Sequence, residues 1–282
     1  MHLIRRAPQL WGYTQSRWTL ALLAEQCAWL AGLSLPGICQ LLSRLGISYK
    51  RSRDYVHSPD PYYWPKLDLV EQMRLRTYYA AHKYAFLYLD EVTYYRQPTA
   101  ASAYELQGAQ QPLAYRSHAA NTTGRIVAAL DAMTGQVLYR QQSRTDVNCL
   151  VNFWYDLRHA YPSVTTIYVV VDNWPMHFHP DVLASLQEQN LPWPPRLSPS
   201  WPTEPSPKAK QDDLPIQLLC LPTYASWLNP IEKLWRWLKQ DVLHLHRLSD
   251  DWPALKRRIA AFLDQFRDGS TPLLRYTGLL PI

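Results

Sequence analysis

Glycine is scarce in this chain, 9 residues of 282 against 23 prolines. Neither Gly-x-Gly-x-x-Gly nor Gly-x-x-x-x-Gly-Lys-Ser/Thr occurs. That argues against dinucleotide and P-loop phosphate binding, which need glycines at fixed spacing so that backbone can approach a phosphate. Cysteine is also sparse. Cys27, Cys39, Cys149 and Cys220 never fall at Cys-x-x-Cys spacing, so neither a cysteine zinc site nor a disulfide scaffold is expected. Reduced thiols in a cytoplasmic protein are the simple reading. No apolar run reaches the roughly 18 residues of a membrane span. The best candidate, Thr19 to Leu33, is interrupted by Glu25 and Gln26, and Gln15, Ser16 and Arg17 separate it from Arg5 and Arg6. A signal peptide is therefore not expected.

What the chain does have is the composition of a globular protein, 47% hydrophobic and 18% charged. Its net charge of +6 is uneven. Residues 1–66 carry eight basic residues against three acidic ones, a balance of +5, which leaves +1 for the rest. A basic N-terminal piece on a near-neutral body points to a polyanion partner, nucleic acid in particular.

That piece reads as helical. Trp18 to Leu30 has apolar residues at helical spacing, broken by Gly32-Leu33-Ser34. Ser34 is an N-cap candidate with Pro36 in the first turn, and Ile38, Leu41, Leu42 and Leu45 then share a face up to Gly46. Two short helices about a three-residue turn fit a helix-turn-helix. The basic residues Arg44, Lys50, Arg51 and Arg53 follow as candidate phosphate contacts. A helix-turn-helix or winged-helix-like DNA-binding domain with its linker, Ser58-Pro-Asp-Pro, is thus expected over 1–66.

Residues 67–282 read as a second, α/β domain. A helix is expected at 66–81, joining the two parts. The apolar strand from Tyr84 ends at Asp90-Glu91, and further strands are expected at 93–97 and 113–117. A hairpin spans 124–131 and 136–142. A helix covers 146–160. Residues 165–171 are β-branched and apolar on both faces, so they predict a central strand, ending at Asp172. Helices at 180–189, 229–243 and 252–267 and a strand at 216–221 complete the reading. Between them, eight prolines within 190–215 predict an exposed irregular insertion, dispensable for folding.

Two of those strands end in an aspartate, and sites in open α/β sheets gather at strand carboxyl ends. Neighbouring strands lie about 4.8 Å apart, close enough for Asp90 and Asp172 to share a divalent cation. Glu232 begins a later helix. Three hard oxygen donors suit Mg²⁺ or Mn²⁺. Two such ions can activate water and stabilise a leaving oxygen in phosphoryl transfer. Singly, each residue has a plainer reading: a turn aspartate, a solvated edge, or a capping box in which Asn229 caps and Glu232 reaches back. Arg236 and Lys239 flank Glu232 on the same helix as candidate DNA contacts.

Phe86-Leu-Tyr-Leu-Asp90-Glu91, Val171-Asp172-Asn173-x-x-x-His177 and Leu221-Pro-x-Tyr-x-x-x-Leu228-Asn-Pro-Ile-Glu232-x-x-Trp235 resemble the three blocks of a DDE transposase. The branch is the bacterial insertion-sequence "six-thirty" family, allied to the mariner superfamily. Arg17-Trp18-Thr-Leu, Leu41-Leu-x-Arg-Leu-Gly-Ile-Ser and Ser58-Pro-Asp-Pro resemble its second helix-turn-helix and linker. The resemblance implies an RNase H-like catalytic domain at 67–282. It implies cut-and-paste transposition with two Mg²⁺ ions, which Mn²⁺ can replace, on a triad of Asp90, Asp172 and Glu232. Asn173, His177 and Asn229 would support that site. The partners implied are double-stranded DNA, both terminal inverted repeats and a target, usually at TA, and a second copy of the chain on DNA. The bacterial nucleoid is the implied location. Two features depart from the pattern: 60 positions separate Asp172 from Glu232, more than is usual, and Tyr224-Ala225-Ser226 stands where Tyr-Ser-Pro is usual. An inactive transposase relic acting as a DNA-binding protein or repressor is the alternative, and the retained triad favours the enzyme.

Overall fold

A computed structural model describes residues 3–50, 57–108, 110–195 and 197–280. The chain divides into two compact units, Met1–Tyr55 and Val56–Ile282. The division falls before the linker prolines, not at 66. The reason is that Ser58 Oγ donates to the Thr223 carbonyl at 2.6 Å and Asp60 accepts from the Thr223 amide at 2.8 Å, which ties this segment to the second unit.

In the first unit, α1 (Leu20–Gln26) starts where the Thr19 hydroxyl accepts from the Leu22 amide. It is shorter than the apolar run suggests, because the chain turns extended at Cys27 and re-enters a 3₁₀ turn at Ala28–Leu30. The link to α2 (Leu35–Arg44) is therefore longer than three residues, and Ser34 caps α2 as expected. Leu23, Leu30 and Ile38 form the buried core, with Leu41 and Leu42 packed on it. Leu45 is 50% exposed, since this small core ends one turn before it.

The second unit is built on one five-stranded sheet. Its elements in chain order are α3 (Tyr63–Tyr79), β1 (Tyr84–Tyr95), β2 (Thr123–Asp131), β3 (Val137–Gln142), α4 (Val147–Ala160), β4 (Thr166–Val171), α5 (Pro180–Leu183), β5 (Ile216–Cys220), α6 (Ile231–Leu238), α7 (Trp252–Asp264) and α8 (Thr271–Thr277). The strand order is β3-β2-β1-β4-β5. The β3-β2-β1 half is antiparallel, and β1-β4-β5 is parallel. β1 holds the middle position; β4 lies beside it, buried on both faces as its apolar sequence requires. One face carries α4, α5 and the core around Phe153, Trp154 and Val169. The other carries α3, α6, α7 and α8 over Phe86, Val170 and Trp235.

Several expected elements take another form. Residues 93–95 are no separate strand: β1 runs through them, pairing Thr93 with Arg125 and Tyr95 with Thr123. Residues 113–117 form no strand; Gln97 accepts from the Ser117 amide and donates to the Ser117 and Ala119 carbonyls, and the Ser249 hydroxyl donates to the Tyr115 carbonyl. The helix expected at 180–189 stops at Leu183, where the chain is drawn into bridging between Leu186 and Leu214. α6 gives way to a π-helical turn at Lys239–Leu243. α8, capped by Ser270, was not anticipated, although Ser-Thr-Pro before Leu273 and Leu274 is a visible start signal. The hairpin at 124–142 stands as expected, with Gly135 at φ +72° in its turn.

Residues 190–213 hold no helix or strand among the described residues. They are nonetheless tied down. Asp181 accepts from the amide and hydroxyl of Ser206, Tyr155 donates to Asp212, and Trp201 sits edge-on to His179. The same segment ends on buried Leu214. Among the described residues no helix is long and apolar enough to cross a membrane.

Candidate active site

The pleat of β1 sorts its two acidic residues. Phe86, Tyr88, Val92 and Tyr94 face the core under α6 and α7, and Asp90 shares their parity. Leu87 and Leu89 face the α4 side, and Glu91 shares theirs. Asp90 is not at the strand end; β1 continues antiparallel to β2, with Asp90 opposite Ala128. What ends here is the parallel pairing with β4, whose last pair is Tyr88 and Val170. Asp90 and Asp172 each lie two residues beyond that pair in sequence, Asp90 still in β1 and Asp172 just past the end of β4.

Each aspartate is held from another element. Trp235 of α6 donates its indole N–H to Asp90 Oδ2 at 2.9 Å. Burial raises the Asp90 carboxyl most, and the charges of Glu232 and then Glu91 add to it, to about 8. Asp172 lies in the turn after β4, where its Oδ1 accepts from the Trp174 amide at 2.8 Å. His177, completely buried, stands between two carboxylates. Its Nε2 donates to Glu91 Oε1 at 3.0 Å, and its Nδ1 lies 3.3 Å from Asp172 Oδ1. Burial opposes the imidazolium, but Glu91 and Asp172 outweigh it and push His177 up to about 10. In return His177 offsets desolvation at Asp172 and holds it below the usual carboxylate range.

Glu232 comes from the helix side. Ile231, Leu234, Trp235 and Leu238 are buried at i, i+3, i+4 and i+7, which leaves Glu232, Arg236 and Lys239 on the solvent side of the same helix. Partial desolvation raises Glu232, Asp172 adds to that, and Lys239 and Arg236 oppose it. No capping box forms. Asn229 instead donates its side-chain amide to the Leu89 carbonyl at 3.0 Å, which ties the start of α6 to β1 beside Asp90. Asn173 makes the parallel tie on β5, donating to the Leu221 carbonyl at 2.7 Å.

The three carboxylates thus share one electrostatic neighbourhood: Asp90 feels Glu232, and Glu232 feels Asp172. Among the described residues no three His, Cys, Asp or Glu side chains stand close enough to hold a metal ion as they are. The donor set is chemically suited to a hard divalent cation. All three are carboxylates, Asp90 spends only one oxygen on Trp235, and Glu232 has no hydrogen-bond partner among the described residues.

A cavity of 410 Å³ adjoins Glu232, lined by Trp227, Arg236, Lys239 and His244 among others. Of the other expected DNA contacts, Arg44 and Lys50 are exposed on the first unit, and Arg51 and Arg53 lie outside the described residues. Residues that sequence reasoning undervalued are Glu91 and Trp235. The period-2 alternation of β1 was the signal for Glu91, since it places adjacent acids on opposite faces. Nothing local marked Trp235 as the partner of Asp90, 145 positions away.

The family model of the DDE superfamily endonucleases matches residues 85–256, a span that contains Asp90, Asp172 and Glu232. A relative, the uncharacterized 39 kDa protein of insertion element IS630 from Shigella sonnei, is 24% identical over 257 residues, 90% of this chain and 66% of that protein. The chain therefore spans just under two thirds of that relative. Among solved structures, the Mos1 mariner paired end complex with Mn is similar at a TM-score of 0.61 and 17% identity, over 97% of this chain and 74% of that one. The Mos1 paired end complex with Mg gives 0.59 and 15%, over 97% and 74%. The chain belongs to the DDE superfamily of endonucleases. Within it the chain is IS630-like in sequence and mariner-like in fold, and its sheet with flanking helices is the RNase H-like fold.

Proposed function

We propose that this chain is a transposase that cuts DNA at the ends of a mobile element and joins the freed 3′-hydroxyl to target DNA. The observation that carries the reading is the pair of ties from α6 to β1, Trp235 to Asp90 and Asn229 to the Leu89 carbonyl, with Glu232 in the first turn of the same helix, where its charge raises Asp90 and Asp172 in turn raises it. Like charge that raises a carboxylate, Glu232 at Asp90 and Asp172 at Glu232, favours a bound cation. Asp90, Asp172 and Glu232 would hold two Mg²⁺ ions, or Mn²⁺ in their place. When bound, such ions activate a water and stabilise the leaving oxygen of a phosphodiester.

The chain's own residues supply the rest. Trp235 fixes the rotamer of Asp90. His177, braced by Glu91, fixes Asp172, and Asn173 and Asn229 lock the β5 and α6 termini against the strands. Arg236 and Lys239 offer phosphate contacts next to Glu232. Hydrolysis at the element end frees a 3′-hydroxyl, which then attacks a target phosphodiester, at TA by analogy with the family. The basic first unit, through Arg44, Lys50, Arg51 and Arg53, would bind the terminal inverted repeats, and two copies would pair on DNA. Its site of action would be the bacterial nucleoid.

The test is Glu232→Gln. As Glu232 is solvent-exposed, the variant should fold within about 1 kcal/mol of the parent and bind DNA normally. It should lose Mg²⁺-dependent nicking of an end-containing plasmid. Undiminished nicking would remove Glu232 from the triad.

A further inference from the structure

We infer that the cavity beside Glu232 seats an unpaired nucleobase of the strand being processed, with Trp227 as its stacking platform. The inference rests on the reading of the chain as a DNA-cleaving enzyme, and it concerns a residue that reading does not use. Trp154 and Trp235 are fully buried, whereas Trp227 is 53% exposed at the cavity wall. Its presentation is fixed. The 3₁₀ turn Ser226–Leu228 is closed by bonds from Leu228 to Ala225 and from Asn229 to Ser226, both 2.9 Å, and Tyr224 before it takes a left-handed φ of +54°. A strained residue beside a rigid turn is a feature of sites that hold a ligand in one geometry.

The cavity's chemistry selects its occupant. An indole face needs a planar, apolar or π-bearing group. Arg236 and Lys239 on the same wall outnumber the one carboxylate there, Glu232, and favour an anion attached to that group. Ser226, Gln240 and His244 offer hydrogen-bonding edges. One nucleotide joins all three properties. A volume of 410 Å³ is at the small end of ligand cavities, suited to a single base with its sugar and not to a duplex. A paired base shows only its edges, so its face reaches Trp227 only after unstacking. DNA at the cleavage point therefore opens locally, and the pocket favours ends that fray.

The test compares a blunt duplex with the same duplex carrying a short 3′ overhang that contains 2-aminopurine. Binding is read by anisotropy in EDTA, so cleavage plays no part. The wild-type chain should prefer the overhang by roughly tenfold and quench its fluorescence. Trp227→Ala should lose both preference and quenching while keeping blunt-duplex affinity within about twofold, and Trp227→Phe should retain most of the preference. If the Ala variant does not fold, Trp227→Leu, which keeps apolar bulk without a π face, takes its place. Preference and quenching that survive in the variant overturn the inference, as does an equal loss for both duplexes or a wild type without preference. Normal Mg²⁺-dependent nicking alongside any of these leaves the cleavage reading standing. A chain that binds no DNA at all overturns both.

Discussion

The strand side and the helix side of the site are held in opposite ways. Asp90 and Asp172 sit on β1 and after β4, and each is gripped by a side chain from elsewhere, Trp235 and His177. Glu232 sits on the solvent side of α6, gripped by none among the described residues, with two cations nearby. The strand side is held by side-chain partners, and among the described residues the helix side is not.

The largest expected effect erases the strand side's charge. Asp90→Asn or Asp172→Asn should each lower Mg²⁺-dependent nicking by on the order of a thousandfold, with gel-shift affinity for DNA unchanged. A strand-side variant that nicks at near wild-type rate breaks the comparison, because the fixed pair would then be dispensable.

Stability should separate the two sides next. His177→Ala leaves Glu91 and Asp172 without their buried partner and should cost about 3 kcal/mol in urea unfolding. Arg236→Ala and Lys239→Ala, on exposed positions, should each change stability by less than about 0.5 kcal/mol. Equal losses on both sides would mean that the helix side is as rigidly packed as the strand side.

The loop into α6 has its own tether. Asp60, nearly inaccessible, accepts from Lys66 Nζ at 2.8 Å and from the Thr223 amide. Burial raises Asp60, but Lys66 and the two amides outweigh it, so its carboxyl sits below the ordinary value of 3.8. A depressed carboxylate contributes stability above its unfolded pKa and loses it as pH falls through the folded one. Asp60→Asn should cost about 2 kcal/mol near neutrality, and the deficit should shrink below pH 3.8. A deficit that stays constant in acid would show that the Lys66 pair contributes nothing through charge.

The smallest effect on the strand side concerns one hydrogen bond. Trp235→Phe keeps an aromatic ring but removes the donor to Asp90 and some buried volume, and should cost about 1–2 kcal/mol while slowing nicking more than it weakens DNA binding. Loss of stability with unaltered nicking would make Trp235 a packing residue only, and the grip on Asp90 incidental.

Much of this was legible in one sequence because its signals are local. The continuous apolar run before Asp90 and the β-branched run before Asp172 mark buried strands, and Ile231, Leu234, Trp235 and Leu238 mark one helix face. The three motif blocks carry the family. What escaped was decided by distant partners. Residues 113–117 have strand-like composition, yet side chains of Gln97 and Ser249 bond their backbone at Ser117 and Tyr115; Leu186 leaves its helix because Leu214 pairs with it. The proline-rich insertion reads as loose, yet Asp181, Tyr155 and His179 hold it.

By itself the sequence determined which residues carry charge and which faces are apolar, because periodicity and burial preference act within a few residues. It named Asp90, Asp172 and Glu232 but could not say how they are held. The tertiary structure alone decided that Asp90 meets Trp235, that His177 stands between Glu91 and Asp172, and that Trp227 is left exposed beside Glu232. Those arrangements depend on strand order and on which helix lands on which face, contacts such as Asp90 with Trp235 across 145 positions and Glu91 with His177 across 86 that no local pattern encodes.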